Sequence, residues 1–77
     1  MTHTHYSIRI MDGGGLARGM YTCSAAYETP GLAREFGPCD PHLSHHGRRA
    51  LVRVETRDDD SGGRALVRET ILEVLAE

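Results

Sequence analysis

A three-stranded antiparallel sheet with one C-terminal helix packed on one face, an α+β fold, is the architecture this sequence predicts. Residues 5–11 and 50–56 alternate apolar and polar side chains with a period of two, the mark of half-buried strands. Residues 19–28 repeat that alternation through Tyr21, Cys23, Ala25 and Tyr27. Residues 64–76 instead place Val67, Ile71, Val74 and Leu75 at helical spacing, extended by Leu72 and Ala65.

In the first strand Tyr6, Ile8 and Ile10 point one way and Ser7, Arg9 and Met11 the other. Asp12 and Gly13–Gly15 break it, with Leu16 to Arg18 lengthening the connection beyond a tight hairpin. Pro30 and Gly31 end the second strand. A long irregular loop over about residues 30–49 follows, rich in Gly, Pro and His, in which only residues 32–36 suit a helical turn. The third strand is favoured by Val52, Val54 and Thr56, with Arg53 and Glu55 facing away. Asp58 to Gly63 forms a turn, and Asp60 or Ser61 is placed to cap the closing helix. The pentapeptide Arg-Ala-Leu-Val-Arg occurs at 49–53 and at 64–68, read as strand in the first copy and helix in the second. The expected core is Ile8, Ile10, Val52, Val54, Val67, Ile71, Val74 and Leu75, with the first and third strands pairing centrally.

The 77 residues accommodate a single small domain, and 39% hydrophobic with 26% charged residues is ordinary globular usage. A net charge of -2 argues against a general nucleic-acid or membrane-surface binder. All nine basic residues are Arg. With no long apolar run and no leader pattern, a cytoplasmic location is expected, with Cys23 and Cys39 as reduced thiols.

Chemistry-bearing patterns are sparse. Cys39, His42, His45 and His46 are zinc-ligand types in one run, but a structural site joins two separated pairs, so Cys23 would have to complete it. The reading is therefore no metal and no cofactor, with a small zinc-binding domain as one alternative. Gly13 to Gly15 lacks the Lys-Ser/Thr ending of a phosphate loop. The residue types of nucleophilic catalysis occur without motif context, so the chain is read as a non-enzyme. Arg48, Arg49, Arg53 and Arg57 form a cluster that makes a nucleic-acid-associated regulator the second alternative, although a single Phe leaves bases little to stack on.

A binding surface is the favoured reading. On the expected helix Glu69, Glu73 and Glu77 share an acidic arc with Leu66 inside it, and Asp58, Asp59 and Asp60 lie close by. Arg49 and Arg53 occupy an exposed sheet face. These nine residues are the candidate contacts with a protein partner, since complementary charge speeds and directs association. In length and plan the chain resembles the small phage-encoded inhibitors of bacterial immunity, the anti-CRISPR proteins. The resemblance rests on size and plan and carries no motif. It implies a non-catalytic inhibitor that binds a host protein, a Cascade or Cas subunit, and blocks target DNA. The expected assembly is a monomer or weak homodimer, without direct nucleic-acid or membrane contact.

Overall fold

The computed structural model describes residues 1–44 and 46–75. Its sheet has four strands, β1 (Thr2–Asp12), β2 (Gly15–Leu16), β3 (Arg48–Asp58) and β4 (Arg64–Val74), in the order β2-β1-β3-β4. A short helix α1 (Pro30–Phe36) runs on into a 3-10 turn at Gly37–Cys39. The class is α+β with an antiparallel sheet and one helix. The sheet has a fourth strand, however, and the helix lies in the middle of the chain.

The central pairing of the first and third predicted strands is present. β1 and β3 are antiparallel over most of their length, with Ile8 opposite Leu51, Arg9 opposite Ala50 and Ser7 opposite Val52. Period-two patterning in both strands fixes this register, because a slip of one residue would carry every core side chain to the wrong face.

The expected C-terminal helix over 64–76 is instead β4, an eleven-residue strand antiparallel to β3. Both copies of Arg-Ala-Leu-Val-Arg are therefore extended. β3 has a second edge whose N–H and C=O groups need partners, and the residues that return from its turn supply them. Val67, Thr70, Ile71 and Val74 are β-branched and suit the role. The helical spacing reflects strand residues offset by irregularities: the β3–β4 register shifts between Leu51 and Val52 and again between Glu55 and Thr56. Asp59 closes the hairpin rather than capping a helix. Its Oδ1 accepts from Ser61 N–H at 3.0 Å, Gly63 N–H at 2.9 Å and Ser61 Oγ at 2.7 Å.

The expected second strand at 19–28 runs beside β1 but does not form a regular ladder. Tyr6 and Tyr27 exchange backbone hydrogen bonds at 2.8 and 2.7 Å, and Ser24 N–H donates to Ile8 O at 2.9 Å. The Ile8 N–H then donates to the Ser24 hydroxyl, so a side chain takes the place of a ladder carbonyl. Only isolated bridges at Tyr6–Tyr27 and Arg9–Cys23 remain. The turn after β1 is tighter than expected: Gly13 and Gly14 have φ of 63° and 92°, the left-handed conformation that a two-residue hairpin demands.

Thr29 starts α1, accepting Leu32 N–H on its hydroxyl at 3.1 Å, and Pro30 sits in the first turn where its missing N–H costs nothing. Order thus extends into the segment expected to be an irregular loop. Ala33 and Leu43 from this region pack with Ile8, Ile10 and Leu51 on one sheet face, joined by Tyr6, Tyr27 and Leu75. Ala50, Val52 and Val54 form a second cluster on the other face with Met11 and Leu16. Of the expected core, Ile8, Ile10, Val52 and Val54 are buried and Leu75 is partly covered. Val67, Ile71 and Val74 are exposed, because β4 is an outer strand paired on one side alone among the described residues.

Candidate functional site

The β3–β4 hairpin carries every candidate contact residue that the structure describes. It sorts them in a way that a helix would not. Glu69 is opposite Val54 and Glu73 is opposite Leu51, so the two carboxylates leave opposite faces of the sheet and the expected acidic stripe does not exist. Glu77, the third member of that stripe, lies outside the described residues.

Glu69 is an internal residue. Its side chain is only 10% exposed and holds Arg18 at 2.6 Å while also pairing with Arg9, itself 8% exposed. Arg9 donates its other amino group to Ala17 O at 3.0 Å, which ties the segment after β2 down onto this face. The hydrogen bond from Arg18, with the charges of Arg9 and Arg18 behind it, holds the Glu69 carboxyl below its ordinary value against the opposing effect of burial. The same pairing pushes the Arg18 guanidinium up. No sequence pattern announces this triad, since its members come from β1, the connection after β2, and β4.

Glu73 is half-exposed and accepts from Arg34 of α1 at 2.9 Å. Arg49 and Arg53 were expected on an exposed face. They stand opposite Ile10 and Tyr6, on the face that α1 covers, and are half-buried. Arg49 donates to Ser44 O at 2.8 Å, and Arg53 faces Glu55 at 3.5 Å. Ala33 and Leu43 of the segment between 30 and 44 pack on Ile8 and Leu51 on that face, and Arg49 holds the end of the segment at Ser44.

The tip is divided as well. Asp58 lies 2.9 Å from His3 Nε2 and 3.8 Å from both the N-terminal amine and Arg64 Nε, so its charge faces cations. Hydrogen bonds from the Ser61 hydroxyl, then from the Gly63 and Ser61 amides, hold Asp59 below the usual carboxylate range. Asp60 is exposed at the turn.

The Cys39–His46 run is organised by Asp40. This buried carboxylate accepts Ala25 N–H at 2.7 Å and His42 N–H at 2.8 Å, and those bonds lower its pKa. Among the described residues no three His, Cys, Asp or Glu side chains converge in metal-binding geometry; His45 is outside them. The described residues enclose no pocket, and no described helix is long and apolar enough to cross a membrane.

What the sequence reading missed is the outer side of β4. Leu66, Val67, Ile71, Leu72 and Val74 are between 39% and 54% exposed along one strand. Among the described residues only β3 pairs with that strand, which leaves its other edge open. Leu66 was expected to be exposed and is; its neighbours were assigned to the core. An open edge with exposed apolar side chains offers backbone hydrogen bonds and side-chain burial together; β4 has neither Lys nor Pro, and only its two bulges and four charged residues blunt it. Comparison with protein-family models, with curated proteins and with solved structures gives no match for this chain.

Proposed function

We propose that this chain is a small non-catalytic protein-binding domain that acts by covering a surface of its partner, as an inhibitor does. The observation that carries the reading is the open β4 edge with its exposed apolar side chains. The edge supplies the contact, and Asp60 with the half-exposed Glu73 supplies negative charge near its two ends. Within this class the phage-encoded inhibitors of bacterial immunity remain the candidate group, on size and plan, with a CRISPR effector subunit as the host partner.

The test is affinity capture from lysate of a bacterial host that carries CRISPR systems, with and without nuclease. Wild type should retain a stoichiometric protein that survives nuclease. Leu66→Lys with Val74→Lys should lose it, because edge lysines oppose strand addition. Capture that persists in this variant overturns the β4 reading. Capture that requires nucleic acid moves the function to the exposed Arg48 and Arg57.

A further inference from the structure

Resting on the protein-binding reading above, we infer that the β4 edge is a self-association site in the free protein, given up when a heterologous partner takes the edge: a second copy of this chain pairs with it, antiparallel, about a two-fold axis at Thr70. The argument begins with charge. β4 carries Arg64 and Arg68 in its first half and Glu69 and Glu73 in its second. A parallel copy would set like charges against like. An antiparallel copy sets the Arg half against the Glu half, so the strand is complementary to itself.

The register follows from the β3 ladder. There Arg68 and Leu66 face consecutive β3 residues, as do Glu73 and Ile71, so Val67 and Leu72 are the extra residues of β4. With these set aside, a two-fold at Thr70 places Arg68 opposite Glu73 of the second copy and Leu66 opposite its Val74. Thr70 meets its own symmetry mate. Glu69 falls opposite Ile71, which is tolerable because Arg9 and Arg18 already neutralise it within its own chain. Moving the axis to Glu69 preserves the alternation of faces but sets two Glu69 side chains against each other, and like charges directly opposite are destabilising. A half-residue axis would set one face against the other. Thr70 is the centre that keeps the faces aligned, keeps like charges apart and also sets Arg68 against Glu73.

The monomer contact that must yield is slight. Arg34 and Glu73 form an exposed pair, 53% and 47% accessible, of a kind that contributes little in water. Its replacement is a cross-strand Arg–Glu pair, formed twice across the axis. The association also covers the exposed Leu66 and Val74 and leaves no open β4 edge.

The experiment is sedimentation of the full chain over a range of concentrations, with circular dichroism confirming that each variant keeps its sheet. Wild type should sediment as a dimer. Arg68→Glu alone and Glu73→Arg alone should each raise the dimer dissociation constant about tenfold or more, since each turns two attractive pairs into repulsive ones. An equimolar mixture of the two variants should recover a heterodimer close to wild-type affinity, because every cross-strand pair is then opposite in sign. A wild type that stays monomeric overturns the proposal, as does a dimer indifferent to both substitutions or a mixture that does not recover. The protein-binding reading fails separately, when Leu66→Lys with Val74→Lys still captures the heterologous partner.

Discussion

Glu69 illustrates how a residue chosen for its charge can turn out to be structural. With its carboxylate wedged between Arg9 and Arg18 and little exposed, truncation leaves Arg9 buried without its partner. Glu69→Ala should therefore destabilise the fold by about 3 kcal/mol in urea titration. Arg9→Met with Glu69→Leu should cost far less than that single change, because removing both charges leaves neither stranded. Asp40 is the second such residue. Its ordinary value is 3.8, and the hydrogen bonds from Ala25 and His42 lower it in the fold. Stability from a carboxyl lowered on folding is fully present above the unfolded value and is lost as pH falls through the folded one. Melting temperature should thus hold near neutral pH and fall below about pH 4. Asp40→Ala should remove much of that acid dependence and cost about 1–3 kcal/mol at neutral pH through the stranded amides. A variant with the wild-type acid profile would show that other carboxylates govern it.

At the scale of elements, the helix and the sheet meet at one close approach. A Cβ added to Gly37 would lie inside the side chain of Ile8, a fully buried residue. Gly37 has φ of -58°, so the space and not the backbone angle requires glycine. Gly37→Ala should destabilise by about 1–3 kcal/mol through overpacking, measured by chemical unfolding. The hairpin tip makes a different demand. Gly62 has φ of +87° with nothing near its Cβ position, so Gly62→Ala should cost about 1 kcal/mol from backbone strain alone. Amide exchange should be slowest in β1 and β3, which are central, and faster on the outward side of β4. Through self-association, protection on that side of β4 should increase with protein concentration.

Seen whole, the molecule is asymmetric in its exposure. Two apolar clusters are finished on either side of β1 and β3, while β4 leaves a row of apolar side chains and an unpaired edge in water. In a chain of 77 residues that surface is a large expense unless something covers it. The assembly prediction follows from the same imbalance: Leu66→Lys with Val74→Lys should leave the monomer folded, with near-wild-type circular dichroism, while abolishing concentration-dependent sedimentation. Lost secondary structure in that variant would mean that β4 depends on those side chains for its own formation.

The central strand pair was readable in the alternation of 5–11 and 50–56, because a buried sheet face selects apolar residues at every second position whatever packs above it. The closing segment was not. Val67, Ile71, Val74 and Leu75 satisfy a helical face as well as a bulged strand does, and Arg-Ala-Leu-Val-Arg carries no local instruction between the two. The open backbone of β3 made the choice, through hydrogen bonds that no window of residues 64–76 contains. The acidic stripe disappeared with the helix, since its geometry depended on a period of 3.6. The Arg9–Glu69–Arg18 triad required three distant segments to meet, and charge alone does not say which segments will. The binding edge was hidden for the same reason: exposed and core apolar residues look alike in sequence, and only the position of β4 at the outside of the sheet distinguishes them.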